Sequence, residues 1–490
     1  MANLIVVNNP KNWSLHVPGV PVVSARDYLT DPAYSTTRSL KVFNLCRSYK
    51  YQSMGYYVSL LALARGHKPL PSITTIQDLQ TPSISRFMAE EIDELIQKSL
   101  RGIKSPTFAL SIYFGRNLAK RYDELSLRLF NTFQAPLLRA EFEWDGEAWR
   151  MRSIRAISGD DISEAHRGFV IESAETFFKR NRFPAKRSSR TQFDMAILVN
   201  DDEPLPPSNK AALRKFAEAA RRQKFAVEFI TRSDYDRVAE FDALFIRETT
   251  QVNHHTYRFA RRAIANELVS IDDADSIARC TNKVYLTELL ARHRIAIPRT
   301  LIVHRKNRDC VAEEIGYPCI LKLPDSSFSQ GVYKAETPEA LDETIDRILA
   351  KSDMLVAQEF MPTDYDWRIG VIDREPLYAC RYFMAKQHWQ IRNANGGSES
   401  YGDVEAVPLI DVPKAVLKAA VASARLIGDS LYGVDLKFVR NKAYIIEVND
   451  NPSIDAGYED RILKNELYDA VMRVFAARVQ KKKGVNGDRS

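Results

Sequence analysis

The chain of 490 residues lacks the marks of several protein classes. No apolar run approaches the roughly 20 residues that span a bilayer, so no membrane association is expected. The first residues, MANLIVVNNPKNW, carry neither a basic region nor a cleavage pattern, and we expect no secretory signal there. Cysteine is scarce: Cys46, Cys280, Cys310, Cys319 and Cys380 are scattered, odd in number and without a CxxC pair. That excludes a disulfide framework and a zinc ribbon, and points to reduced thiols in a cytosolic setting. We read all five as small buried apolar groups. Repeats and low-complexity segments are missing, as is any Ser/His/Asp or Cys/His spacing that suggests a nucleophile. The net charge of +7 is a thin excess for this length. It favours anionic partners mildly, but there is no concentrated basic stripe, and a nucleic-acid partner is not expected.

What is there reads as mixed α/β. The apolar content is 45% and the charged content 27%, ordinary for a globular protein of two to four domains. NLIVVNN and KVFNLC read as strands and MGYYVSLLALARG as a helix stopped by Gly66. GRNLAKRYDELSLRLFNTF reads as a longer helix. LLRAEFEWDGEAWRMRSI alternates Leu138, Ala140, Phe142 and Trp144 with polar residues and turns at Asp145-Gly146, a β-hairpin. These make an N-terminal α/β domain over 1–180, followed by a basic linker over 181–192. Residues 193–278 start afresh as strand, helix, strand, which implies a small parallel sheet; Ser208 is read as the N-cap of its first helix. Residues 279–480 form a third, α+β unit, and the tail 481–490, with Lys481-Lys482-Lys483, is expected to be disordered.

The informative stretch is AYIIEVNDNPSID, a strand that ends in acids and amides. Side chains alternate along a strand, so Glu447 and Asn449 project together while Ile446 and Val448 go to the other side. A turn centred on Asn441 sets Asp435, in GVDLKFV, opposite Glu447. Two carboxylates at cross-strand distance repel unless a positive charge lies between them. Three oxygen donors suit Mg²⁺. The alternative is a solvated polar face with Lys437 neutralising one acid.

YGVDLKFVRNKAYIIEVNDNPSID resembles the metal-binding end of the ATP-grasp fold, close to the RimK-type carboxylate–amine ligases. The resemblance implies that Asp435, Glu447 and Asn449 hold the Mg²⁺ of Mg-ATP, with Mn²⁺ as an alternative ion. CTNKVYLTELLARHRIAIPRT supplies Lys283 as the first nucleotide-contacting lysine, and GYPCILKLPDSSFSQGV supplies Lys322 to reach the phosphates. Its loop offers Ser326, Ser327, Ser329 and Gln330 with only Gly331, a departure from the Gly-rich form. MLVAQEFMP would hold the adenine through backbone at Glu359 and Phe360. In DYDWRIGVID, Asp366 would bond the ribose and Arg368 face the reacting phosphate or carboxylate; Arg381, Arg392 and Asn393 are further catalytic candidates.

The resemblance spans roughly residues 193 to 480 and makes 193–278 the domain that precedes ATP-grasp modules. The N-terminal part resembles the extra domain that some RimK-like proteins carry. The implied activity is an ATP-dependent ligase that activates a carboxylate as acyl phosphate and joins it to an amine, releasing ADP. Its partners would be small-molecule or peptide substrates, glutamate or another amino acid among them; a homo-oligomer is one option. The alternative is a non-catalytic Mg-ATP-gated protein docking a protein or RNA. His254-His255 is set aside as structural, because adjacent side chains on one element do not face one metal.

Overall fold

The computed structural model describes residues 2–13, 17–37, 40–80, 92–180, 191–325, 331–384, 392–393 and 400–484. Most of the basic linker therefore lies outside the described residues. Two compact units form, residues 1–188 with 235–240, and residues 189–234 with 241–490.

In the first unit, β1 (Ala2–Val7), β2 (Val22–Ser24), β3 (Leu40–Asn44) and β4 (Lys68–Leu70) make a parallel sheet in the order β2-β1-β3-β4. Both faces are buried. Ile5, Val7 and Phe43 enter one core and Leu4, Val6 and Val42 the other, which is why NLIVV is apolar without a break. The helix Met54–Ala64 is capped by Ser53 and is followed by Gly66 at φ +68°. A second sheet, antiparallel, joins β5 (Thr107–Tyr113), β6 (Leu137–Trp144) and β7 (Trp149–Ala156). Asp145 Oδ1 accepts from the backbone of Glu147 and Ala148 and closes the expected hairpin. Trp144, at its mouth, is exposed rather than buried. The expected long helix is shorter: the α-helix is Asp123–Phe133, preceded by a single 3-10 turn.

In the second unit, β8 (Phe193–Leu198), β9 (Phe225–Ile230), β10 (Ala243–Ile246) and β11 (Val269–Ile271) form a parallel sheet ordered β11-β10-β8-β9. The helix Lys210–Arg222 is capped by Asn209, whose side chain accepts from Ala212 N. Ser208 does not cap; it donates to the Ile454 carbonyl at 2.8 Å. The helix Asn465–Lys482 packs Tyr468, Met472 and Phe475 into the same core as Phe216 and Phe245. Lys481 and Lys482 are thus helical, and Lys483 pairs with Asp242 at 2.7 Å, where a disordered tail was expected.

A four-stranded antiparallel sheet follows, β12 (Thr300–Val303), β13 (Cys319–Lys322), β14 (Val332–Ala335) and β15 (Leu355–Glu359), ordered β12-β15-β13-β14. The five-stranded sheet β20-β17-β16-β21-β22 comprises β16 (Tyr365–Ile372), β17 (Glu375–Phe383), β20 (Val404–Val407), β21 (Leu431–Val439) and β22 (Lys442–Asn449). Between β17 and β20 lies a two-stranded ribbon of β18 (Arg392–Asn393) and β19 (Ser400–Tyr401). Trp367, Ile369, Val434, Leu436 and Val448 point to the helix Lys414–Ile427. Residues between them on these strands therefore face the other way. Four cysteines are buried, but Cys310 is exposed at the start of a short helix, contrary to the reading of five buried thiols. Among the described residues no helix is long and apolar enough to cross a membrane.

Candidate functional site

The open face of the five-stranded sheet collects the charged groups. Arg368 on β16 is the cross-strand partner of Asp435 on β21. It donates from Nε and Nη2 to the two carboxylate oxygens, each at 2.6 Å. This is the planar fork that suits a buried carboxylate. Burial opposes the charge on Arg368, yet Asp435 outweighs it and the guanidinium is held well above its usual range. Burial pushes Asp435 up against the pull of Arg368. Asn449 Nδ2 donates to Asp435 Oδ2 at 3.1 Å and to the Gly433 carbonyl at 3.2 Å. A Cβ on Gly433 would lie 2.6 Å from Pro452, so the strand can pass the NDNPS loop only as glycine.

Glu447 does oppose Asp435, but by a different route from the one expected. The turn is the two residues Arg440-Asn441, both with positive φ, as a tight hairpin demands. Regular pairing from that turn would set Ile446 against Asp435 and turn Glu447 into the core. The ladder slips between Asp435 and Leu436, leaving Ile446 as an extra residue. Ile445 and Val448 are therefore the buried pair. Ile446 is not on Val448's side; with Leu286, Val356, Lys283 and Lys322 it lines a cleft.

Lys283 starts the helix Lys283–Arg292, and its Nζ lies 2.9 Å from Glu447 Oε1. Burial raises the Glu447 carboxyl, but Lys283 and then Lys322 bring it below its ordinary value. Lys322 ends β13, is 8% exposed and donates to Gln358 at 2.8 Å. Burial pushes its ammonium down to about 8. Lys437 does not neutralise Asp435; it binds Asp366 at 2.6 Å and Thr363 at 2.7 Å. The Glu359 N–H is donated to the Arg299 carbonyl at 2.9 Å, so that donor is not available to a base. Phe360 lies under Lys334 Nζ, 4.4 Å from its ring centroid.

Arg381 is not brought to this face. It pairs with Trp367 across the β16–β17 ladder and stacks on Tyr365 and Trp367, with Glu405 at 3.2 Å. Strand alternation puts Tyr382 beside Arg368 instead, with the guanidinium 4.8 Å from the ring centroid. Gly331 has φ +72°, and a Cβ there would meet Leu323 at 2.6 Å. Ser326, Ser327, Ser329 and Gln330 lie outside the described residues, as do the side chains of Arg392 and Asn393.

Several groups were not anticipated. Arg247, 1% exposed, donates to Ser208, to Asn451 Oδ1 at 2.7 Å and to the Pro452 carbonyl at 2.9 Å. Asp450 accepts from Thr250 at 2.7 Å, and burial raises its carboxyl to about 7. The NDNPS motif was the available signal: a polar loop after a buried strand needs partners. His254 and His255 lie side by side at the start of a helix. Their ring centroids are 3.9 Å apart, and His255 Nε2 is 2.9 Å from Glu248 Oε2.

Two carboxylates and an amide, beside two lysines and a cleft with apolar walls, define an ATP-grasp protein: residues 280–466 match the family model described as the RimK-like ATP-grasp domain. Residues 25–173 match the RimK-like ATP-grasp N-terminal domain. The chain belongs to the RimK-like ATP-grasp proteins. The non-catalytic alternative is not favoured. It is 23% identical over 224 residues to a probable alpha-L-glutamate ligase of Vibrio vulnificus, covering 45% of this chain and 72% of that one. It is 28% identical over 189 residues to the alpha-aminoadipate–LysW ligase LysX of Saccharolobus solfataricus, covering 37% and 66%. Among solved structures, the D-alanine–D-alanine ligase of Bacillus anthracis aligns at TM-score 0.47 and 15% identity, over 60% of this chain and all (100%) of that one. A RimK domain protein of Sphaerobacter thermophilus aligns at TM-score 0.43 and 14% identity, over 57% and 98%.

Proposed function

We propose an ADP-forming ligase that phosphorylates a substrate carboxylate with ATP and passes the acyl group to an amine, with an α-amino acid such as glutamate as one of the two substrates. The activities for which the two relatives are named support that substrate class. The observation that carries the reading is the pairing of Glu447 with Lys283 beside the Arg368–Asp435 fork, two neighbouring acids on one sheet face, each with its own cation.

In this reading Asp435, Glu447 and Asn449 hold Mg²⁺. The donor set fits. All three offer oxygen, and a carboxylate has lone pairs enough to accept from arginine and still ligate. Asn449 donates from Nδ2 to Asp435, which leaves Oδ1 for a cation. Bound Mg²⁺ would neutralise phosphate oxygens of the nucleotide. Lys283 and Lys322 bind phosphate, helped by the loop of Ser327, Ser329, Gln330 and Gly331. The strand at Glu359 and Phe360 lies along the base, with the Glu359 carbonyl in place of its N–H. Asp366, held by Lys437, bonds the ribose. Arg368 stabilises charge at the acyl phosphate, and Arg392 and Asn393 orient the carboxylate substrate. Catalysis rests on positioning and on fixed charge in a site removed from water. The test is substrate-dependent ADP release with glutamate and a panel of amines, followed by mass spectrometry for a new amide. ATP binding without turnover for any acid and amine would overturn the reading.

A further inference from the structure

We infer that Glu248, His254 and His255 form a second metal site, for a divalent ion of the zinc class that accepts imidazole nitrogen. It is separate from the oxygen donors at Asp435, Glu447 and Asn449, and does not depend on the ligase reading. One donor atom from each of the three side chains lies within 4.8 Å of the others. A four-coordinate ion with bonds of about 2.0–2.2 Å sets its donors about 3.3–3.5 Å apart, so the 2.9 Å His255–Glu248 pair would open slightly and any wider separation would close. Small rotations of two half-buried imidazoles supply that.

The donors are held as ligands are. Glu248 is 2% exposed; one carboxylate oxygen accepts from Asn200 Nδ2 at 3.2 Å and the other faces His255 Nε2 at 2.9 Å. Its carbonyl accepts from Asn451 Nδ2 at 2.7 Å, which anchors the backbone. His254 Nδ1 lies 3.1 Å from Thr256 Oγ1. An outer hydrogen bond on one ring nitrogen orients the other, Nε2, as the ligand. A plain His–Glu ion pair needs one imidazole. Here a second is stacked on the first at 3.9 Å, where the helix His255–Ala265 begins. His254 occupies the N-cap position yet makes no capping hydrogen bond to the helix backbone, so capping does not account for it.

The place is that of a ligand site. Asn200 and Glu248 follow the carboxyl ends of β8 and β10, where open parallel sheets collect ligands. Thr250 and Asn451 tie the cluster to the loop after Asn449. Three protein donors leave one position of a tetrahedral ion for water or for a donor atom of a substrate, the pattern of catalytic rather than structural zinc.

The test is titration of the chelator-treated full-length protein with Co²⁺ in the absence of nucleotide. One equivalent is expected to bind, giving the visible absorption of a four-coordinate site. Binding should persist in Glu447→Gln and be lost in His254→Ala and in His255→Ala. X-ray absorption on the wild-type protein reads the ligands directly, even if a variant fails to fold. Imidazole scattering supports the site. An all-oxygen shell, no Co²⁺ uptake by the folded wild type, or unchanged uptake in both folded histidine variants would overturn it.

Discussion

Arg368 holds Asp435 by both carboxylate oxygens from the neighbouring strand, and each partner is nearly out of water. Cutting one side strands the other. Arg368→Ala should lower the unfolding free energy by about 3–5 kcal/mol, measured by urea denaturation. Arg368→Lys keeps the charge without the fork. Its kcat for ADP release should fall by about 10²-fold, with a smaller change in KM for ATP.

Glu447 is the acid that the extra residue Ile446 turns out of the core. Glu447→Gln keeps the shape and removes the charge facing Lys283. ADP release should drop at least about 10²-fold while the circular dichroism spectrum is unchanged. Turnover within twofold of wild type would contradict the metal assignment.

Lys322 carries a pH signature. Its ammonium, pushed down to about 8 by burial, loses its charge above that pH. Affinity for ATP should weaken as pH rises through 8. Stability moves the other way. The unfolded lysine keeps its proton to about 10.4, so between these values the unfolded chain binds more protons and this group's contribution to stability rises with pH. Lys322→Met should remove that rise and raise KM for ATP at pH 7. Urea midpoints of both proteins from pH 7 to 10, with ATP kinetics, check both signs.

Arg247 serves several acceptors at once, among them Ser208, Asn451 and Pro452. Arg247→Met fills similar space and leaves those groups without their donor. The expected loss is about 3 kcal/mol or more of stability. KM for ATP should also rise, because Asn451 and Pro452 follow Asn449. Asn209→Ala removes a helix cap and the hydrogen bonds of the same amide to the Ala456 backbone, and should cost about 1–2 kcal/mol while leaving kinetics unchanged.

Part of this was legible in the sequence because it is local chemistry. Gly66 stops a helix since its φ of +68° costs other residues more. The 193–278 pattern of strand, helix and strand implied a parallel sheet, and β8 to β11 form one. Alternation carries a further signal on β17. Arg381 pairs with Trp367, so one step along β17 would have pointed to Tyr382 as the neighbour of Arg368. Ser208 and Asn209 are both capping residues by type, and the Ile454 carbonyl and Arg247, both far along the chain, draw Ser208 away.

By itself the sequence determined the kinds of element and the acid-rich end of β22, since side-chain period and turn residues act over a few positions. Tertiary structure decided which cation meets which acid: Lys437 goes to Asp366 and Lys283 to Glu447. It also decided that Glu447 leaves the core at all, through one unpaired residue. The first depends on segments distant in the chain coming together, where desolvated charges must find opposite partners; the second lies within one hairpin, where a single residue of register decides which face is buried.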